Sequence, residues 1–141
     1  FAGGTTPTYV NTIDYVTIAT TGDASNFGDL NYTPISSMAM ASTTRGIIGG
    51  GYPSPANTNI IDFITIASTG DATDFGDLIA ANYYYAATGN STRAVWASDG
   101  STNVMEFVTI ATTGNASDFG DQNGTPQHLA GVTSDSHGGL S

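Results

Sequence analysis

One segment is written three times along this chain of 141 residues, and it limits the possible architectures more than any other feature. The copies cover residues 12–30, 59–78 and 103–122. Their acidic residues Asp14, Asp62 and Glu106 are 48 and 44 residues apart. A period of this length is typical of stacked supersecondary units that bury their apolar faces against each other. The repeat therefore predicts a row of similar units and not one irregular core.

Each copy predicts two short strands. The run 60–67 has β-branched and aromatic residues on both faces, which indicates a strand that is covered on both sides. The segment 68–71 reads Ser-Thr-Gly-Asp, which is typical of a turn. Residues 72–78 then predict an outer strand with one aromatic side chain, Phe75.

Two further strands are predicted ahead of each complete copy. They cover residues 36–41 and 45–51 before the middle copy, and residues 82–87 and 93–97 before the last one. A propeller blade consists of four short strands joined by turn-rich connections, which matches each unit of this repeat. We name the strands of a unit a, b, c and d in chain order, and we expect an all-β protein.

The motifs at the ends of strand b and within strand c also point to a family. They are the glycines 3–4 and 49–51, the pairs Asp14-Tyr15, Asp62-Phe63 and Glu106-Phe107, and one aromatic residue in each strand d. Over the whole chain this pattern resembles the kelch-type β-propeller. It departs from that family at Ala97-Ser98, where glycines are expected. It also departs in strand d, which carries Phe where the family more usually has Trp. The sequences Ile-Ala-Thr-Thr-Gly and Asp-Phe-Gly-Asp are also similar to kelch-like repeats of marine bacteriophage tail-fibre and structural proteins.

The resemblance implies a β-propeller of four-stranded antiparallel blades, with three blade-equivalents in the chain. We predict complete blades at 31–78 and 79–122, and one blade split between strands c and d of 1–30 and strands a and b of 123–141. Three blades are fewer than the about four to eight that close a propeller. Two chains joined head to tail would give six blades, so we predict a homodimer. A fragment of a longer repeat array is the alternative.

Charge and composition exclude several classes of function. The chain has 12 acidic residues and two basic ones, for a formal net charge of -10, so it repels nucleic acid. It has no cysteine, which excludes disulfides and thiolate metal sites. No apolar run reaches the roughly 20 residues that span a bilayer, so we expect no membrane insertion. Abundant small and turn-forming residues favour an extracellular or virion surface.

Arg45 and Arg93 are the only Lys or Arg residues, and both lie fifteen residues after a repeat leucine. His137 falls at the same position of the last unit. A ring of cations that binds an anionic ligand, such as an acidic sugar, is one interpretation. We favour the other, in which each arginine pairs with the strand c acid or the strand d aspartate and ties neighbouring strands together.

Aromatic and amide side chains are the candidates for glycan binding. They are Tyr52, Asn57 and Asn59 in the loop before the middle strand c, and Tyr83 and Trp96 in the third unit. Aromatic faces stack on sugar rings, and loop residues are better placed for recognition than strand residues. Together with Arg45 and Arg93, they form the predicted binding set.

The sequence offers little for catalysis. There is no Gly-x-Ser-x-Gly segment, and both histidines lie near the C-terminus. The acidic turns lack the alternating spacing of a calcium loop, so we predict turn stabilisation, with no metal and no cofactor, and a weak surface calcium site is the alternative. We therefore predict a non-enzymatic binding or structural module of a phage or bacterial surface that recognises a glycan or protein receptor. The alternative is a propeller glycoside hydrolase or lyase, although acids that recur in step with the repeat favour a scaffold.

Overall fold

The computed structural model of the chain describes residues 1–52, 56–82, 85–98, 102–124 and 133–134. These residues form eleven β-strands and no helix, and the strands make three antiparallel sheets. The predicted all-β class is thus confirmed. Residues 128–132 and 135–141, the predicted strands a and b of the split blade, lie outside the described part of the chain.

The strands of each sheet follow one another as a simple meander. The first sheet contains β1 (Ala2–Thr6), β2 (Thr8–Tyr15) and β3 (Ser25–Asp29). The second contains β4 (Met38–Ala41), β5 (Arg45–Gly49), β6 (Ile60–Thr65) and β7 (Thr73–Asp77). The third contains β8 (Tyr85–Gly89), β9 (Arg93–Ser98), β10 (Val104–Thr109) and β11 (Ser117–Asp121). The first 30 residues thus contain β1 in addition to the predicted strands c and d, because the end of strand b pairs with β2 and continues to Thr6.

The three sheets share one register, which fixes the equivalence of their residues. Strand b pairs with strand c at Ala2 and Ile13, at Gly49 and Ile61, and at Ala97 and Met105. In every sheet the register between strands c and d shifts immediately after this position. The shift is a β-bulge, which leaves a phenylalanine of strand d without a direct partner. The bulge phenylalanines are Phe27, Phe75 and Phe119.

An aromatic pair recurs beside the bulge. Phe63 and Phe75 meet edge to face with ring centroids 6.0 Å apart. Phe107 and Phe119 do the same at 5.9 Å, and the first sheet has the equivalent pair of Tyr15 with Phe27. Aromatic edge-to-face pairs stabilise a packed face beyond the area that they bury. The acid-aromatic pattern of strand c thus places one aromatic residue of strand c on the bulge phenylalanine of strand d.

Consecutive sheets pack face to face, and the core lies between them. One buried cluster joins the first and second sheets through Ile13, Phe27, Leu30, Ile48 and Ala72. The other joins the second and third through Ile47, Ile61, Phe75, Leu78, Ala94, Trp96, Val108 and Ile110. We call the face that packs on the preceding sheet the front face, and the opposite face the rear face. The backbones of the second and third sheets approach each other most extensively at their first strands, β4 and β8.

Candidate functional site

A turn of one sheet docks on the outer strand of the sheet before it. The Gly70 amide donates to the carbonyl oxygen of Phe27 at 2.7 Å, and the Ala72 amide to that of Asp29 at 2.8 Å. The Asp29 amide in turn donates to Oδ1 of Asp71 at 3.0 Å. The turn therefore satisfies the otherwise unpaired backbone edge of β3.

The second and third sheets make the same contact. Gly114 and Ala116 donate to the carbonyl oxygens of Phe75 and Asp77, both at 2.8 Å. The Asp77 amide donates to Oδ1 of Asn115 at 3.1 Å. We call this set of three hydrogen bonds the joint, and the Gly-Asx-Ala sequence that makes it the docking turn. Sequence reasoning assigned these turns only to local stabilisation, although the recurrence of Gly and Ala around an Asx residue is a signal that could have identified them.

Glycine in strand d makes room for the docking turn. A Cβ atom at Gly28 would lie 2.2 Å from the Gly70 carbonyl oxygen, and one at Gly76 would lie 2.5 Å from that of Gly114. Gly76 and Gly120 also have φ angles of 144° and 132°, which favour glycine. A Cβ atom at Gly120 would have nothing within 4 Å. Gly120 thus keeps the geometry of the joint where no docking turn is bound.

The acid of strand c is the buried polar centre of each joint. Asp62 is fully buried and accepts hydrogen bonds from both the backbone amide and the side-chain amide of Asn31, each at 2.8 Å. Glu106 is equally buried and accepts from the backbone amide of Ile79. Asn31 and Ile79 are equivalent, since each follows the leucine that comes directly after strand d. The shorter acid is therefore matched with an amide side chain and the longer acid with an apolar one.

Burial perturbs the titration of this region. Loss of solvent raises the pKa of Asp62 above its ordinary value, the nearby Asp74 raises it further, and the two Asn31 hydrogen bonds oppose the shift. Burial also raises the pKa of Tyr32 strongly, with a contribution from Asp62. The Tyr32 hydroxyl donates to the Gly50 carbonyl oxygen at 3.0 Å. Because Asp62 is sealed from solvent, its raised pKa reflects structural burial and not an accessible acid.

Arg45 ties the second sheet to the third. Its Nη1 donates to the carbonyl oxygens of Ile110 and Ala111, both at 3.0 Å, and its guanidinium lies 4.6 Å from the ring centre of Phe63. The sequence interpretation expected a carboxylate partner. Carbonyl oxygens take that place because the turn after strand c presents two of them side by side. Such a link between sheets stabilises the packing and uses the Nη1 amino group for structure.

Arg93 has the same pose without the same neighbour. Its guanidinium lies 4.7 Å from the ring centre of Phe107, as Arg45 lies over Phe63. The side chain is exposed at the rear of the third sheet. The two arginines therefore share one end of their sheets, as their repeat position predicts, but differ in what they contact.

The loop candidates lie at the other end of the strands. Tyr52 is half-buried, and its backbone pairs with that of Ile35 at 2.9 and 3.3 Å. Asn57 is half-buried on the same loop. The Asn59 side chain donates to the Leu78 carbonyl oxygen at 3.4 Å, within its own sheet. The structure thus brings these three residues into one loop and separates them from Arg45.

Two candidates of the third unit have different outcomes. Trp96 is fully buried between the second and third sheets, and its indole N–H has no hydrogen-bond partner among the described residues. Its ring packs on Gly49, where a Cβ atom would lie 3.1 Å from the indole carbon Cζ2. The side chain therefore presents no face to a ligand. Tyr83 lies outside the described residues.

Both ends of the row of sheets leave an apolar face open. On the front face of the first sheet, Ile18 is 96% exposed, whereas the equivalents Ile66 of the second sheet and Ile110 of the third are 44% and 1% exposed. On the rear face of the third sheet, Phe119 is 49% exposed, whereas Phe75 of the second sheet is 2% exposed. The docking turn of the first sheet, residues 22–24, is exposed as well.

The described ranges contain no group of three or more histidine, aspartate or glutamate side chains placed to hold a metal ion. They also contain no helix with the length and apolar character needed to cross a membrane.

A scan against protein-family models gave no match to this sequence, and a search of curated proteins gave none either.

Proposed function

We propose that this chain is one half of a six-bladed β-propeller, completed by a second copy, and that it serves as a non-enzymatic binding or structural module. One observation carries the proposal: the chemically distinctive residues of the repeat are used to hold sheets together. Asp62 and Glu106 accept hydrogen bonds from the chain segment that leaves the preceding sheet, and Arg45 binds carbonyl groups of the following sheet. Polar groups that recur in step with the sheets are thus devoted to the scaffold.

Face-to-face packing supports the propeller arrangement. Every described sheet is a meander of neighbouring strands, and the first strands β4 and β8 lie side by side where the sheets come closest. Blades that surround a common axis are closest at their first strands. Thr133 and Ser134 line a cleft with Arg93, Val95 and Phe119 at the rear of the third sheet. This position suits a chain segment that contributes to the next blade.

The loops between strands b and c are the proposed recognition surface. They differ strongly between sheets, from the tight hairpin at Pro7 to the long connection 50–59. A rigid repeated scaffold with variable loops is a common arrangement for binding proteins. Tyr52 and Asn57 offer an aromatic face and an amide in one such loop. We propose a neutral glycan or a receptor protein of a phage or bacterial surface as the ligand, because the net charge of -10 disfavours anions.

A glycan array with a paired turnover assay tests this function. We expect the wild-type chain to bind a subset of glycans without releasing reducing ends, and the double variant Tyr52→Ala, Asn57→Ala to lose most of that binding. Thr69→Ala is the matched control, since Thr69 is exposed on a turn at the opposite end of strand c. Release of reducing ends by wild type would contradict the proposal and favour the glycoside hydrolase or lyase alternative.

A further inference from the structure

Building on the proposed dimer, we infer that the docking turn of the first sheet, residues 22–24, binds strand β11 of a second copy and makes there the joint that the chain already makes twice internally. The docking turn is one half of the joint and β11 is the other. Both halves are exposed in the described chain. The partner is therefore another copy of this chain, and each copy offers one of each half.

The hydrogen bonds of this joint follow from the repeat. Gly22 would donate to the carbonyl oxygen of Phe119, and Ala24 to that of Asp121, as Gly70 and Ala72 do to Phe27 and Asp29. Asp23 would accept from the Asp121 amide, as Asp71 and Asn115 accept from Asp29 and Asp77. The first sheet thus carries the same Gly-Asx-Ala sequence as the two docking turns that are bound.

The buried acid points to the same partner. Asp14 is equivalent to Asp62, and Asn123 is equivalent to Asn31. In the inner joints an Asp acid faces Asn, whereas a Glu acid faces Ile. The pairing of Asp14 with Asn123 of a second copy reproduces the Asp-Asn combination.

Arg93 supplies a third element. Arg45 stands over Phe63 and donates to the carbonyl oxygens of the turn after strand c in the next sheet. Arg93 stands over Phe107 in the same pose. The equivalent acceptors are the carbonyl oxygens of Ile18 and Ala19 in the second copy. Both acceptor residues lie on an exposed turn of the first sheet.

The apolar faces complete the fit. The front face of the first sheet offers Val16 and Ile18, and the rear face of the third sheet offers Phe119. The equivalent residues of the contact between the second and third sheets, Val108, Ile110 and Phe75, are buried in one cluster. In the contact between the first and second sheets Phe27 is buried and Ile64 partly buried, while Ile66 is 44% exposed. Because each copy presents one front face and one rear face, the contact is heterologous, and two copies of three sheets each close it through a two-fold axis.

The inference is tested with Ile18→Asp and its control Thr20→Asp. Ile18 is 96% exposed in the single chain, so the charge costs the fold little, whereas the equivalents Ile66 and Ile110 are 44% and 1% exposed in formed joints. Thr20 lies on the same turn, and its equivalents Ser68 and Thr112 stay exposed in formed joints. By light scattering we expect twice the chain mass of 14.4 kDa for wild type and Thr20→Asp, and the single-chain mass for Ile18→Asp.

Arg93→Ala provides a second variant in case Ile18→Asp does not fold, which circular dichroism reports. Loss of charged hydrogen bonds is expected to raise the dimer dissociation constant at least about tenfold in sedimentation experiments. A dimeric wild type whose mass is unchanged in both variants would overturn this joint and leave the proposed dimer intact. A wild type that stays monomeric at all concentrations would overturn both.

Discussion

The two inner joints and the two open end faces use equivalent residues in opposite surroundings. The equivalent isoleucines Ile18, Ile66 and Ile110 are 96%, 44% and 1% exposed, so exposure falls where a preceding sheet packs on the position. A Cβ atom at Gly76 would clash with the Gly114 carbonyl oxygen of the next sheet, whereas one at Gly120 would contact none of the described residues. The difference teaches that burial here is decided by the neighbouring sheet and not by the sequence of the unit, which is typical of repeat proteins.

The inner joints also differ from each other in matched ways. The third sheet carries Trp96 where the second carries Ile48, and the second sheet has Gly49 where the other two have alanine. Gly49 is the residue on which the Trp96 ring packs. The larger side chain of Trp96 thus packs on a smaller residue of the neighbouring sheet. The polar centres differ in a similar way, since Asp62 is paired with Asn31 and the longer Glu106 is paired with Ile79.

The largest expected loss of stability comes from a substitution that disrupts an inner joint. Gly76→Val places a side chain against the Gly114 carbonyl group at a positive φ angle, so we expect a loss of about 4 kcal/mol or more in the free energy of unfolding. Gly120→Val shares the unfavourable φ angle but meets no neighbour among the described residues, and its loss in single chains should be roughly 1–2 kcal/mol. Urea denaturation at low protein concentration measures both. Equal losses of stability in the two variants would mean that close contact with the docking turn does not restrict the residue at Gly76.

The packing match between Trp96 and Gly49 gives the next effect. Trp96→Ile leaves a cavity and should cost about 3 kcal/mol, while Gly49→Ala crowds the indole and should cost about 1–3 kcal/mol. The double variant should cost less than the sum by about 1 kcal/mol or more, since isoleucine vacates the space that the new methyl group needs. Additive losses in a double-mutant cycle of thermal unfolding would show that the two sites are independent.

The paired arginines sharpen the comparison further. Arg45→Ala removes two charged hydrogen bonds and a ring contact, so a loss of about 1–3 kcal/mol is expected under conditions that keep the chain monomeric. Arg93→Ala should change monomer stability by less than about 0.5 kcal/mol. Guanidinium denaturation of the two variants side by side measures the difference. A similar loss for both arginines would contradict the distinction between a formed and an open joint.

The smallest effect concerns pH. Burial raises the pKa of Asp62 in the folded chain, so its contribution favours folding below the ordinary aspartate pKa of 3.8 and is lost as pH rises through the raised value. Relative to Asp62→Asn, which does not titrate, wild type should lose stability as pH rises across that window. Unfolding free energies of both proteins from pH 3 upward, at fixed salt, measure this. A difference that does not vary with pH would show that the Asn31 hydrogen bonds offset the burial.

Part of this account could be predicted from the sequence alone. The repeat and its alternation of apolar strands and glycine-rich turns predicted an all-β chain, because periodicity reports burial directly. The partners of Arg45 could not be predicted, since carbonyl groups at Ile110 and Ala111 leave no mark in side-chain sequence. Trp96 was predicted as a ligand residue but is buried, because pattern alone does not say which strand face a neighbouring sheet covers.

Amide hydrogen exchange by NMR at a protein concentration that favours assembly tests the central claim most directly. The Gly70 and Ala72 amides are bonded within the chain, and they serve as internal references for the equivalent Gly22 and Ala24 amides. If one joint serves every pair of sheets, Gly22 and Ala24 should be protected to a similar degree in wild type and should exchange rapidly in Ile18→Asp. Rapid exchange of Gly22 and Ala24 in assembled wild type would contradict the account.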